Sequence, residues 1–179
     1  MKAIVVEQDV KGSVLAMTDI PAPEPDPSQV KIRVRTASVN RADLAQRAST
    51  HQPAHAGGGP VVVGLDAAGD VVEVGREVIG IRVGDRVMAI VNGGLSEEVV
   101  VDAALAVPIP EAWSYAEGAA AILGLMTEHN ALRTNGGLQP GEIGAHPRRG
   151  LLGGAAVRAA GQVLWCGNYY RYHSDGQGN

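Results

Sequence analysis

The sequence predicts a small β-rich barrel or sandwich, then one helix, then a stretch of different character. Three observations carry this. Short β-branched runs separated by Gly, Pro and Asn turns fill the first hundred residues. One of them, Val30-Lys31-Ile32-Arg33-Val34-Arg35-Thr36, alternates apolar and charged residues, as a strand with one wet face does. After Pro110 the turn signals stop, and an Ala/Leu/Ile-rich stretch runs from Tyr115 to Leu132 with few helix breakers.

Taken in order, Ala3–Val6 and Val14–Met17 flank a Lys-Gly-Ser turn signal and read as an opening hairpin. Pro21, Pro23, Pro25 and Pro27 follow; they cannot donate to a central sheet and predict a surface connection. After the alternating strand, Asn40 to Arg47 reads as a short helical turn with Asn40 as its N-cap. His51 to Pro60 contains Gly57, Gly58 and Gly59 and predicts a loop. Val61 to Val74 is β-branched but interrupted by Gly64 and Gly69, which predicts bulges or close backbone approach. Gly84-Asp85 predicts a turn into a strand ending at Ile90, and Leu95 to Val101 another strand. Ser114 and Glu117 form a capping box for the helix that starts at Tyr115. Thr134 to Glu142 is a turn-rich connection.

Length and composition narrow the function. The 179 residues suit one domain or one and a half, and 45% hydrophobic residues suffice for a core. A formal net charge of −4 without a basic run argues against nucleic acid as partner. No apolar stretch reaches the roughly 18 residues of a membrane span, and the N-terminus meets a charge too early for a signal peptide, so cytoplasm is the expected compartment. A single cysteine, Cys166, excludes an internal disulfide framework and any multi-cysteine zinc site.

Several motifs recur in a fixed order: Val39-Asn40-Arg41-Ala42-Asp43-Leu44, Gly64-Leu65-Asp66-Ala67-Ala68-Gly69, Asp70-Val71-Val72-Glu73-Val74-Gly75, Gly84-Asp85-Arg86-Val87, Gly93-Gly94-Leu95-Ser96-Glu97 and Pro140-Gly141-Glu142. Over residues 1 to 142 this order resembles the medium-chain dehydrogenase/reductase superfamily, within it the zinc-free quinone oxidoreductase branch. The resemblance implies a β-rich GroES-like barrel, the alcohol dehydrogenase-like N-terminal domain, over 1–113. It implies a linking helix and connection over 114–142, and an incomplete or frameshifted start of an NADPH-binding Rossmann α/β domain over 143–179. Arg86 offers a planar donor that can hold a neighbouring loop.

The same resemblance bears on metal. Where the alcohol dehydrogenase branch places a cysteine and a histidine, this chain has Asn40 and Leu65. A catalytic zinc needs about three protein ligands, and only Asp66 of that set remains able to ligate, so no metal site is expected. A zinc-type alcohol dehydrogenase relative is the disfavoured alternative. Direct hydride transfer from NADPH to a quinone or enone is the implied reaction, with aldehydes left open. Asn40, Asp43 and Thr127 are the implied cofactor-side residues. His51 falls where relatives often carry a tyrosine and is the candidate donor to the substrate oxygen. Each has a plainer reading: Asn40 as a helix cap, Asp43 as a first-turn acid, Thr127 bonded to its own helix, His51 as a solvated loop residue. Members of the family are often homodimers.

The resemblance breaks after Glu142. A family member continues into a buried strand and a glycine-rich turn that cradles a pyrophosphate. Here Pro147 interrupts any central strand, and Gly150-x-x-Gly153-Gly154 is not the G-x-G-x-x-G fingerprint. One set of codons for Ile143 to Gly153, read one base later, gives Ser-Val-Leu-Ile-His-Ala-Ala-Ala-Ser-Ser-Gly, close to the missing motif. A frameshift near codon 143 is therefore expected, and the aromatic tail from Trp165 suggests a second loss of frame or a disordered end. On this reading the chain is a truncated reductase, inactive alone. The rival expectation is a noncatalytic GroES-like binding or interaction module.

Overall fold

The computed structural model describes residues 1–9, 12–48, 60–138, 143–145, 163–166 and 169–172. The expected hairpin is present: β1 (Lys2–Asp9) and β2 (Gly12–Asp19) pair antiparallel, from Lys2↔Asp19 to Asp9↔Gly12. The other edge of β1 is closed by two extended segments. Ile4 N–H donates to Leu95 O at 2.9 Å, and Val6 N–H to Val61 O at 3.0 Å. Isolated bridges Ala3↔Ser96 and Val5↔Val62 mark the same seam. Leu95 and Ser96 therefore serve this seam and not the start of a strand, which begins only at Glu98.

The main sheet is antiparallel throughout. It contains β3 (Gln29–Thr36), β4 (Asp66–Val74), β5 (Arg86–Ile90), β6 (Glu98–Asp102) and β7 (Val107–Pro108), in the spatial order β6-β3-β4-β5-β7. Its pairing slips twice between β3 and β4. Lys31↔Glu73 is followed by Ile32↔Val71, leaving Val72 extra, and Val34↔Gly69 by Thr36↔Ala68, leaving Arg35 extra. Such bulges bend a strand and sharpen its twist, which a small sheet needs in order to curl.

The two glycines expected to mark irregularities in this region do so by close approach. A Cβ on Gly69 would stand 2.0 Å from the carbonyl oxygen of Arg33, and one on Gly64, whose φ is +113°, would stand 2.4 Å from Leu95 N. The chain has no Phe, and the core is filled mainly by β-branched and small side chains. Val30, Ile32, Ala67, Val71, Val87, Ala89, Val99 and Val101 form one cluster; Ala3, Val5 and Val62 form another. Each fully buried valine contributes roughly 1.5–3 kcal/mol. Lys31 also lies on this buried stretch. Its ammonium reaches out to Glu73 at 2.8 Å and Glu24 at 3.5 Å. The hydrogen bond to Glu73 holds it above its ordinary value, against the opposing effect of burial.

Helix α1 (Arg41–Ala48) follows β3, and α2 (Tyr115–His129) follows β7. The capping box expected at Ser114 is formed: Ser114 N–H donates to Glu117 Oε2 at 2.7 Å and Glu117 N–H to Ser114 Oγ at 3.2 Å. The helical stretch does not stop at Leu132. It continues as a π-helical segment, Asn130–Asn135, until Gly136, the first breaker in reach.

The chain divides into two compact units, Met1–Leu123 and Gly124–Asn179, so the division falls inside α2. In the second unit, β8 (Ile143–Ala145), β9 (Val163–Cys166) and β10 (Tyr169–Tyr172) make an antiparallel sheet in the order β8-β10-β9. This corrects two expectations. A three-residue strand does form after Glu142, ending before Pro147, and the aromatic tail contains strands. Val, Leu, Trp and Tyr suit a pleated backbone whatever frame produced them. Among the described residues, no helix is long and apolar enough to cross a membrane.

Candidate functional site

The candidate site lies in the first unit, where the chain leaves β3, passes Ser38 and Asn40, and enters α1. Facing it is Asp66, the first residue of β4, with no exposed surface. A carboxylate buried this completely must be satisfied by donors, and three reach it. Ser38 N–H donates to Oδ1 at 2.6 Å; the Ser38 hydroxyl and Asn40 Nδ2 donate to Oδ2 at 2.5 and 2.7 Å. Asn40 Nδ2 also donates to Ser38 Oγ at 3.0 Å, closing a ring of three side chains. The backbone behind the ring is equally tight, since a Cβ on Gly94 would stand 2.0 Å from the carbonyl oxygen of Asp66.

Asn40 stands at the N-cap position of α1, but its side chain does not cap the helix. The capping contact runs the other way: Asp43 Oδ2 accepts the backbone N–H of Asn40 at 2.6 Å, while Asp43 N–H donates to Asn40 O at 3.0 Å. The expected N-cap side chain is thus corrected to one whose NH₂ is engaged by Asp66, a buried carboxylate that must find donors. Asp43 is only 6% exposed, and its second oxygen, Oδ1, is buried without a partner. That makes it more than a first-turn acid facing solvent. An orphaned buried acceptor is a place where a ligand or solvent donor is needed. Gln46, one turn further along α1, accepts the N–H of Gly64 at 3.1 Å and ties the helix to the loop before Asp66.

Asp66, the remaining candidate metal ligand, has both oxygens engaged by protein donors. Among the described residues no three His, Cys, Asp or Glu side chains stand close enough to hold a metal ion. His51 lies outside the described residues. Thr127 is exposed on α2 within the second unit. The structure therefore brings Asn40 and Asp43 together and adds two residues to them. Ser38 carried no sequence signal, and the role of Asp66 as hub was invisible because its partners lie 26 to 28 positions away.

Four residues along β4, Asp70 has a contrasting environment. It accepts from Arg35 Nε at 2.8 Å and from the Tyr115 hydroxyl. Arg86 Nη2 donates to Trp113 O at 2.6 Å, and its guanidinium stands 4.6 Å over the Tyr115 ring. This is the loop-holding function expected of Arg86. Burial alone would raise the Asp70 carboxyl, but the Tyr115 and Arg35 donors outweigh it and hold it below its ordinary value. The same bond to Asp70, helped by burial, holds the Tyr115 hydroxyl above its ordinary value.

A curled antiparallel sheet closed by β1, with a buried polar ring where β3 passes into α1, defines the class: residues 26–111 match the family described as the alcohol dehydrogenase GroES-like domain. Over these residues the chain has the GroES-like domain found in the medium-chain dehydrogenase/reductase superfamily. It is similar to the quinone oxidoreductase of Pseudomonas syringae pv. tomato DC3000, with TM-score 0.65 and 28% identity over 79% of this chain and 44% of that one. It is also similar to Escherichia coli quinone oxidoreductase complexed with NADPH, with TM-score 0.64 and 25% identity over 79% and 43%. The human synaptic vesicle membrane protein VAT-1 homolog is 36% identical over 130 residues, 70% of this chain and 32% of the relative. The polyketide synthase GfsB of Streptomyces halstedii is 36% identical over 128 residues, 71% of this chain but 2% of that protein. The chain thus spans less than half of these solved structures and a third or less of the curated relatives.

Proposed function

We propose that this chain supplies the substrate-side domain of a zinc-independent, NADPH-dependent reductase that passes hydride to a quinone or enone. The observation that carries the reading is the Ser38–Asn40–Asp66 ring beside the orphaned Asp43 oxygen. Where a metal-dependent relative would need ligands, this chain has an amide, an aliphatic side chain and a carboxylate with both oxygens engaged by protein donors. NADPH supplies the hydride when bound. The protein's part is to orient the nicotinamide, keep water out and offer hydrogen bonds at fixed points. By the family resemblance, Asn40 and Asp43 serve the cofactor, Thr127 is a further cofactor residue, and His51 donates to the substrate oxygen. The sequence after Glu142 lacks the glycine fingerprint of a pyrophosphate cradle, so the 179-residue chain does not turn over by itself.

The test is a titration of the ¹⁵N-labelled chain with NADPH, alongside calorimetry with zinc. Because the pyrophosphate cradle is missing, movement of the Asn40 and Asp43 backbone amide signals only at high NADPH concentration, with no zinc uptake, is the expected result. Stoichiometric zinc binding, or NADPH leaving both amides unmoved, sinks the reading. A second reading follows from the short span of the chain relative to its relatives: a noncatalytic binding module. It gains if the chain melts cooperatively as a single species while NADPH moves nothing.

A further inference from the structure

β2 is the outer strand of its sheet, and the hydrogen bonds at the base of the hairpin fix which of its residues face out. The Met1 ammonium donates to Ile20 O at 2.7 Å, and Ile20 N–H to Met1 O at 2.9 Å. Every second pair from there exchanges both bonds, as antiparallel pairing requires: Ala3↔Thr18, Val5↔Ala16 and Glu7↔Val14. Between them Ile4 and Val6 turn their amides away, to Leu95 O and Val61 O. Met17 and Leu15, opposite Ile4 and Val6, turn theirs the other way, toward the free edge. Among the described residues no acceptor meets either N–H. The same two side chains are 68% and 47% exposed and share the outward face with Ile4 and Val6. Edge strands commonly carry a charge or a proline that discourages pairing; Gly12 to Thr18 has neither. On the inward face Ala3 and Val5 are buried, whereas Ala16 and Val14 on β2 are not. The core lies beneath β1, and β2 projects beyond it.

We infer that the free edge of β2 pairs antiparallel with β2 of a second copy, about a two-fold axis at Ala16. Only outward-turned residues can exchange hydrogen bonds across such an edge, which limits the register. Centred on Ala16, it sets Leu15 against Met17 of the second copy, and Met17 against its Leu15. Ser13 and Asp19 then meet at both ends, so no like charges face each other. Shifting the second copy by two residues sets Ser13 against Met17, or Leu15 against Asp19, and leaves one apolar pair where there were two. The centred register gives a continuous sheet in the order β1-β2-β2-β1, whose outward face carries Ile4, Val6, Leu15 and Met17 from each copy. This self-match favours a second copy over a foreign strand, because each contact that fits is made twice. The surface shares no residue with the Ser38–Asn40–Asp66 ring and does not depend on the reductase reading.

The test is sedimentation of the 179-residue chain over a concentration series, joined to cysteine cross-linking. The wild-type chain should associate reversibly to a dimer. Met17→Lys alters an exposed side chain and should keep the wild-type melting temperature. It should raise the dimer dissociation constant at least about tenfold, since both Leu15–Met17 pairs are lost together. In a Cys166→Ser background, Ala16→Cys should be linked to a disulfide dimer by diamide. Its two Cα atoms would face each other at about 4.5 Å, within the reach of a disulfide. Thr18→Cys should stay unlinked, because its two copies stand about 13 Å apart along the strands. A chain that stays monomeric leaves this edge to a foreign strand and overturns the inference. So does a dimer that Met17→Lys does not weaken, an Ala16→Cys chain that does not link, or a Thr18→Cys chain that links as readily.

Discussion

Asp66 and Asp70 lie four residues apart on the same strand, β4, yet their surroundings differ in kind. Asp66 is wholly buried and, among the described residues, held by neutral donors from one short segment, Ser38 to Asn40. Asp70 is partly exposed and held by a charged arginine from β3 and a tyrosine from α2. The first arrangement fixes the segment that leads from β3 into α1. The second ties the start of a helix to the sheet. A carboxylate with neutral donors in a dry site costs much to disturb and fixes geometry; one with a half-exposed arginine is cushioned by water.

Breaking the first arrangement should have the largest effect. Asp66→Ala leaves three donors unsatisfied in a buried site and should destabilise the chain by about 3 kcal/mol or more, read as a lower urea midpoint at unchanged slope. A loss comparable to that of Asp70→Ala would erase the contrast. Asp70→Ala should cost about 1–2 kcal/mol, since water can replace the carboxylate at Arg35. Tyr115→Phe should cost about 1 kcal/mol, because the ring still packs beneath Arg86 and only the hydroxyl is lost.

Titration sharpens the comparison further. The Asp70 carboxyl is held below its ordinary value of 3.8, chiefly by Tyr115 and Arg35 against the opposing effect of burial. Its contribution is therefore complete above that value and fades as pH falls through the lowered folded value. Tyr115 is held above its ordinary 10.0, first by the bond to Asp70. Its contribution is complete below that value and fades as pH rises through the raised folded value. The gap in melting temperature between the wild-type chain and Asp70→Asn should be widest at neutral pH and close at both extremes. A gap independent of acid pH would show that the carboxylate charge plays no part.

Most of the fold was legible from local patterns. The hairpin, the alternating strand, the capping box at Ser114 and the close-approach glycines each follow from chemistry within a few residues, where periodicity and turn preference act. Sequence reasoning missed the continuation of α2 into a π-helical segment, and the strands at Ile143 and in the aromatic tail. The helix continues because Asn130 to Asn135 holds no Gly or Pro to stop it, and the tail strands follow the β propensity of Val, Leu, Trp and Tyr.

By itself, then, the sequence determined the β-rich class, the helix start at Tyr115, the superfamily and the lack of a cysteine or histidine where a metal-dependent relative would need one. It also put Asn40 and Asp43 on one short turn. Only the tertiary structure decided what those residues do. Ser38 and Asp66 meet across 28 positions because the pairing of β3 with β4 brings their ends together. Once Asp66 is buried there, its need for donors draws in the Ser38 hydroxyl and the Asn40 NH₂. Long-range pairing sets which groups lose water, and loss of water sets which hydrogen bonds must form.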